Sequence, residues 1–302
     1  VSQILDQAAA ASEKSGSQGP RISFLGPEGT FSESVVDYIF EDRDFHRLPQ
    51  NTISDCLASL ASGAADHAVV PVENSTGGVV PDFWDILARG WQQRSWEITH
   101  DVVSDVSQHL FTLPELAEVG QKPVKIFSHW QALRQCRKYL DRVYPKADWV
   151  PVDSTAEAGR LVREAAGEAY AAIGHRNIGD RFGLTRLAAS VEDNPFNQTR
   201  FMVVSRRSTT ATGYQGAAAE ARALTYHSAL SPSLASVPAA LAEIQQGQGW
   251  ELAGCYSLPK PGYMGEYNVF MDWRTGGELP ADPVDPTPDS EYVVLDTYLR
   301  VP

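Results

Sequence analysis

Arg21-Ile22-Ser23-Phe24-Leu25-Gly26-Pro27-Glu28-Gly29-Thr30-Phe31-Ser32 is an apolar strand that runs without a break into a glycine loop and a helix start. Val35, Val36, Ile39 and Phe40 follow at helical spacing, so the helix presents one apolar side. Thr30 or Ser32 stands where a hydroxyl caps the first turn. Strand, glycine loop and helix in this order set backbone N–H groups and a helix N-terminus at a strand end, a place that suits an anion. The logic repeats once. Residues 53–61 read as a helix and 68–72 as a buried strand. Glu73-Asn74-Ser75-Thr76-Gly77-Gly78 is again a polar, glycine-containing loop, and 79–87 read as the next helix. Residues 96–103 are extended and lead the chain outward.

Residues 104–190 read as a second α/β lobe. Its strands are 125–128, 149–152 and 170–174. A helix follows His129 over 131–140, and another starts at Ser154-Thr155-Ala156-Glu157 with capping residues. A polar loop at 192–198 and a strand at 199–205 then complete the first lobe. The expectation is a mostly parallel α/β unit over 21–206. One lobe is 21–103 with 191–206, the other 104–190, and a ligand cleft lies between them. Residues 1–20 are an Ala/Ser-rich flexible lead-in, and 207–220 are a Ser/Thr/Gly/Ala linker. Residues 221–302 read as a small α+β module: strand 221–228, helix 232–246, strand pair 250–258 and 266–273, a proline-rich stretch, and a last strand at 292–299.

Bulk composition excludes several classes. The 302 residues carry 25 Lys and Arg against 38 Asp and Glu, a net charge of −13, which speaks against nucleic acid as a partner. Cys56, Cys136 and Cys255 form no CxxC pair, so neither a zinc knuckle nor a disulfide framework is expected. No run of 18 apolar residues suggests a membrane span, and the N-terminus lacks the pattern of a secretory signal. These features give an expectation of a cytoplasmic protein with reduced thiols.

Five segments occur in a recognisable order: Gly26–Ser32, Glu73-Asn74-Ser75, His129-Trp130-Gln131-Ala132-Leu133, Ser154-Thr155-Ala156 and Asn197-Gln198-Thr199-Arg200-Phe201. Together they resemble the motifs of the prephenate dehydratases, over residues 21–206. The resemblance implies a periplasmic-binding-protein-like bilobal fold and the loss of CO2 and hydroxide from prephenate, with no metal and no cofactor. By the same resemblance, Thr199 is the hydrogen-bond donor to the departing hydroxyl, Arg200 grips a substrate carboxylate, and Phe201 walls the ring. Gly29, Thr30, Phe31 and Ser32 take the other carboxylate. Asn74, Ser75 and Asn197 contribute from the first lobe, and Ser154 and Thr155 from the second. The plain structural readings stand beside these: Thr199 as a strand start, Arg200 as a surface or lobe-to-lobe ion pair, and the Ser, Thr and Asn residues as helix caps. Glu73 would repel a dianion, so it reads as a loop-fixing residue. His129 reads equally well as a capping residue.

Residues 221–300 resemble an ACT regulatory module, which implies phenylalanine binding at subunit interfaces and a homodimer or homotetramer. Ala229, Leu230, Ser257 and Pro259 are its candidate regulatory residues. Tyr256-Ser257-Leu258-Pro259 stands where related modules read Glu-Ser-Arg-Pro, and Ser228-Ala229-Leu230 where they read Gly-Ala-Leu. The missing charges favour a dimerisation surface or another effector over phenylalanine feedback. Three competing functions share this sequence: an arogenate dehydratase, a non-aromatising prephenate decarboxylase, and a bilobal amino-acid-binding protein without catalysis. Retention of Thr199-Arg200-Phe201 and of a C-terminal module favours the prephenate dehydratase.

Overall fold

The computed structural model describes residues 19–40, 44–165, 167–207, 220–227, 237–262, 264, 266–276 and 293–301. Ala229 and Leu230 lie outside the described residues. The first lobe begins β1 (Arg21–Leu25), α1 (Phe31–Ile39), β2 (His46–Gln50), α2 (Ile53–Ala61), β3 (His67–Asn74), β4 (Gly78–Val79), α3 (Pro81–Gly90) and β5 (Trp96–Asp105). The chain then builds β6 (His109–Thr112), α4 (Pro114–Glu118), β7 (Lys125–His129), α5 (Trp130–Gln135), α6 (Arg137–Val143), β8 (Asp148–Val152), α7 (Thr155–Glu164), β9 (Tyr170–Gly174), α8 (Asn177–Phe182) and β10 (Thr185–Ala188). It returns as β11 (Gln198–Arg206) and finishes with β12 (Glu220–His227), α9 (Val237–Gln248), β13 (Glu251–Pro259), β14 (Tyr267–Arg274) and β15 (Val293–Val301).

Two sheets result. The smaller runs β10-β6-β9-β7-β8, with β7 parallel to both β8 and β9. The larger runs β13-β14-β12-β15-β5-β11-β3-β1-β2, with β4 on β3. The chain passes between the sheets twice, after β5 and before β11. Within the larger sheet β1 is parallel to β3, and β11 is antiparallel to its neighbours β3 and β5. The carboxyl ends of β1, β3 and β5 and the start of β11 therefore share one edge. In the smaller sheet the carboxyl ends of β7, β8 and β9 likewise share an edge, which carries His129, Ser154 and His175.

Two helices depart from the sequence expectation. The stretch 131–140 is not one helix but two, broken at Cys136. The Asp193 carboxylate accepts from the backbone N–H groups of Lys138 and Tyr139 at 3.0–3.3 Å, and so satisfies the first turn of a new helix at the break. The helix expected at 79 starts at Pro81, because Gly78 and Val79 first pair back onto β3.

The C-terminal elements also differ from a free-standing sandwich. β15 lies parallel to β5, pairing Leu299 with His100, Arg300 with Asp101 and Val301 with Val102, so the sheet continues across both units. A single core follows the same path. Phe83, Trp84 and Leu87 of α3 share it with Leu224, Tyr226, Tyr256, Leu258, Phe270, Leu295 and Tyr298. The indole of Trp84 stacks on Tyr256 at 4.5 Å and meets Phe270 at 5.2 Å. Burying this outer face of α3 removes large aromatic surfaces from water, the dominant driving term for such contacts.

Candidate active site

A strand alternates its side chains between faces, and β11 does so around the key pair. Phe201 and Val203 pack with Val35 and Val36 of α1, whereas Met202 and Val204 pack on the side of α2, α3 and the C-terminal strands. Thr199 therefore shares the α1 side. Arg200 faces the other way, 5% exposed, into the seam with the C-terminal elements.

β3 reaches the same edge through an irregularity. Its register with β11 pairs Glu73 with Arg200 and Pro71 with Phe201, so Val72 is an extra residue. A bulge re-aims the side chains beyond it. Val70 and Val72 belong to the core on the α3 side. The bulge lets Glu73 face that side too, and returns Asn74 to the side of Thr199.

Asn74 then organises the edge. Its Oδ1 accepts from the backbone N–H groups of Thr76 (3.0 Å) and Gly77 (2.7 Å), which fixes which way the amide points. Nδ2 donates toward Thr199 Oγ1 at 2.9 Å, Asn197 Oδ1 at 2.9 Å and the Gln198 carbonyl at 3.0 Å. Because Thr199 Oγ1 accepts from Asn74, its own proton is left to donate. Ser75 N–H donates to the Gln198 carbonyl, and Gln198 N–H returns to Ser75 Oγ at 2.9 Å. Ser75 Oγ also donates to the Phe196 carbonyl, so Ser75 ties two loops together.

The glycine loop of the first lobe touches the second lobe. Phe31 meets the His175 ring edge-on at 4.8 Å, and Glu28 pairs with Arg181. Gly29 has φ +87°, and a Cβ there would stand 3.1 Å from Ala156 Cβ. Burial, with the charge of Arg176 behind it, lowers His175 to about 4, so the imidazole in this contact is neutral at pH 7. The donors expected to take a carboxylate are largely engaged within the protein. Gly29 N–H donates to the Glu33 carboxylate, and Thr30 Oγ1 donates to the Leu25 carbonyl at 3.2 Å rather than capping α1. Ser32 is buried in the first turn of α1. Ser154 Oγ caps α7 by accepting from Glu157 N–H at 3.0 Å, and Thr155 is buried beside Gly174.

The guanidinium of Arg200 is held on every nitrogen. Nε donates to Asp101 at 2.6 Å, Nη1 to the Tyr256 hydroxyl at 2.8 Å and Nη2 to the Tyr298 hydroxyl at 2.8 Å, and Nη2 pairs with the Asp272 carboxylate at 2.9 Å. Burial works against this charge, but Tyr298, Asp101, Asp272 and Tyr256 raise its pKa well above the ordinary value. This network speaks against the expected grip of Arg200 on a substrate carboxylate, and it is not the lobe-to-lobe pair of the other reading either, because Asp101 belongs to the same lobe and Asp272 to the C-terminal unit. Ser257 and Pro259 are exposed along β13, on the far side of this seam's buried Tyr256 and Leu258.

A cavity of about 310 Å³ opens beside the Asn74 cluster, lined by Thr76, Arg134, Gln135, Lys138, Glu192, Asp193, Asn194 and Asn197. Asn197 is 2% exposed, and its Nδ2 has no hydrogen-bond partner. Gln135 Oε1 accepts from Gln108 Nε2 at 3.3 Å, which leaves the Gln135 amide protons to the cavity. Glu192 and Asp193 are occupied by backbone N–H groups of Gln108, Lys138 and Tyr139. The lining thus offers two cations and three side-chain amides, beside the two carboxylates. Arg134, Gln135 and Lys138 escaped the sequence reading, although they directly follow the His129–Leu133 motif on the same short helices. Among the described residues, no group of three or more His, Cys, Asp or Glu side chains is arranged to hold a metal.

The prephenate dehydratase family profile matches residues 22–209. The chain belongs to the prephenate dehydratase family. A bifunctional chorismate mutase/prephenate dehydratase of Neisseria gonorrhoeae is 34% identical over 251 residues, 83% of this chain. The chain spans only 65% of that relative's length. The crystal structure of an Arthrobacter aurescens prephenate dehydratase in complex with L-Phe superposes with a TM-score of 0.71 at 26% identity, covering 92% of this chain and 89% of its own. A structure described as a novel type of quorum quenching acylase superposes with a TM-score of 0.70 at 22% identity, covering 93% and 98%, and shows the fold alone. The Asn74–Thr199 pair meets the cavity through Asn197, which bonds Asn74 and lines the cavity. Among the described residues, no helix is long and apolar enough to cross a membrane.

Proposed function

We propose that the chain is a prephenate dehydratase that converts prephenate and one proton, taken up from solvent, to phenylpyruvate, CO2 and water. The ring C–C bond to the carboxylate breaks, its electron pair enters the ring as the ring becomes aromatic, and the C4–OH bond breaks on the far side. Hydroxide is a poor leaving group, so a donor whose hydrogen bond strengthens as that bond stretches lowers the barrier. The observation that carries this reading is the bond from Asn74 Nδ2 to Thr199 Oγ1, with the amide locked by Thr76 and Gly77. It holds the hydroxyl oxygen and leaves its proton free to donate. Arg134, Lys138 and the free amides of Asn197 and Gln135 supply charge and hydrogen bonds for the dianion. Phe31, Phe201, Ser32 and Thr155 complete the wall between the lobes in this reading. Gly29, Thr30, Ser75 and Ser154 hold the loops that carry it.

The same reading makes the protein a cytoplasmic homo-oligomer. The unpaired Cys56 and Cys136 thiols support the compartment. β13, which among the described residues has strand neighbours on one side only, supports pairing with a second copy. Leu258, buried where the related motif carries arginine, favours a C-terminal unit used for assembly over one that reads phenylalanine. The deciding experiment follows phenylpyruvate absorbance in alkali after incubation with prephenate, with arogenate in parallel. The expected result is phenylpyruvate from prephenate. CO2 release without an aromatic product would install the decarboxylase, preference for arogenate the arogenate dehydratase, and no turnover of either a binding protein.

A further inference from the structure

We infer that Tyr256, from the C-terminal strand β13, is a positioning residue for the substrate site, acting through Glu73 and Arg200 on the Asn74–Thr199 pair. Glu73 and Arg200 are cross-strand partners, and the next pair along the same ladder is Asn74 with Thr199. The Tyr256 hydroxyl sits on the first pair. It donates to Glu73 Oε2 at 2.8 Å and accepts from Arg200 Nη1 at 2.8 Å. Its ring cannot turn away, because it is stacked on Trp84 at 4.5 Å with an interplanar angle of 20° and is almost wholly buried. Burial raises its ionisation well above that of free tyrosine, so it remains a donor throughout the working pH range.

Three features make this contact a control on the site rather than one more core bond. The bulge at Val72 turns Glu73 toward Tyr256 and Asn74 toward Thr199 together, so the two orientations are set by one backbone distortion. Holding Glu73 holds the bulge. Arg200 is the residue next to Thr199, and its fork spans Asp101 of β5 as well as Asp272 and Tyr298 of the C-terminal strands. Finally, Tyr256 occupies the position where related regulatory modules carry glutamate. A carboxylate there would face the Glu73 carboxylate at hydrogen-bond distance, whereas a phenol can bridge the acid and the guanidinium. Tyr256 and Glu73 are thus a matched pair, and the C-terminal unit becomes part of the frame of the active site.

The kinetic arm of the test rests on the dehydratase reading; the exchange arm does not. In the full chain, Tyr256→Phe keeps the ring on Trp84 and removes only the hydroxyl. Amide exchange at Ser75 and Gln198, which bond each other's loops, should speed up about tenfold, while Ile173 in the central β9 stays unchanged. With prephenate, kcat should fall about tenfold with KM within about twofold. Tyr256→Phe should have a smaller effect in a Glu73→Ala background, where only its bond from Arg200 is left to lose. Leu258→Ala, which thins the same buried strand without touching the network, should leave Ser75 exchange and kcat unchanged. Unchanged exchange at Ser75 and Gln198 in Tyr256→Phe, or an equal change in Leu258→Ala, overturns the inference. If the unmodified protein does not turn over prephenate, the dehydratase reading falls and the exchange result alone decides the role of Tyr256.

Discussion

Successive residues of an extended strand project to opposite faces, so the neighbours Thr199 and Arg200 serve different neighbourhoods. Thr199 takes its hydrogen bond from Asn74 at the cleft edge, and Arg200 spends its donors on Asp101, Asp272, Tyr256 and Tyr298. Their mutants should separate accordingly. Asn74→Ala removes the donor that orients the Thr199 hydroxyl, and should cost about a hundredfold in kcat with a smaller loss of stability than Arg200→Ala, from the turn at Thr76 and Gly77 that loses its acceptor. Arg200→Ala leaves two buried carboxylates short of a cation. It should cost about 3–5 kcal/mol in urea unfolding, a loss far larger than that of any exposed ion pair such as Arg137–Asp141. A raised KM at unchanged stability would instead return Arg200 to the substrate. The Thr-Arg-Phe motif drew attention to the right place in the sequence, but strand alternation, legible there too, already forbade one shared pocket for both side chains. The partners of Arg200 were not legible, because Asp101, Asp272 and Tyr298 come from three strands far apart in the chain.

At the scale of elements, local patterns carried the reading well where one strand or helix acts alone. The periodic apolar residues of 53–61 and of 170–174 mark α2 and β9 as they stand in the structure. The pattern failed where a distant side chain intervenes. Asp193 breaks 131–140 into α5 and α6, and nothing near Cys136 announces it. The loop between β1 and α1 shows the opposite case, a local sequence whose need is set by a distant surface. Gly29 has φ +87° and its α-carbon faces Ala156 at the start of α7. Gly29→Ala therefore combines backbone strain with a contact that neither lobe can relieve without parting. It should cost about 1–3 kcal/mol and loosen the contact between Phe31 and His175. The expected readout is a lower melting temperature together with a raised KM for prephenate. A melting temperature equal to that of the unmodified protein would show that the loop reshapes freely.

Over the whole molecule, buried groups set the response to acid. Burial lowers both His100 and His175 to about 4, from an ordinary value near 6.5. The unfolded chain therefore takes up these protons first. Stability is fully present above about pH 6.5 and is lost as pH falls toward 4. Thermal melts should decline across that window, and His175→Gln should flatten the slope by one proton's share.

The same global view bears on the C-terminal strands, which the sequence presents as a separable module behind a Ser/Thr/Gly linker. β15 extends the sheet of the first lobe, and Arg94, from the turn after α3, is buried against Asp296, with Nη2 donating to Asp296 Oδ1 at 2.9 Å and to the Leu295 carbonyl at 2.6 Å. Cutting the chain after residue 207 would strip the cover from Trp84, leave Arg94 without its carboxylate, and leave Asp101 without Arg300. Removing one partner from each of several buried ionic contacts costs more than a domain's net stability. The piece 1–207 is therefore expected to be aggregated or partly unfolded when expressed alone, by circular dichroism and sedimentation. Adding back residues 220–302 as a separate chain should restore a soluble complex, because the seam recreates both its core and its ion pairs. A monomeric, cooperatively melting 1–207 would mean that the first lobe can close over Trp84 and Asp101 by itself, and that the continuous sheet adds nothing to its stability.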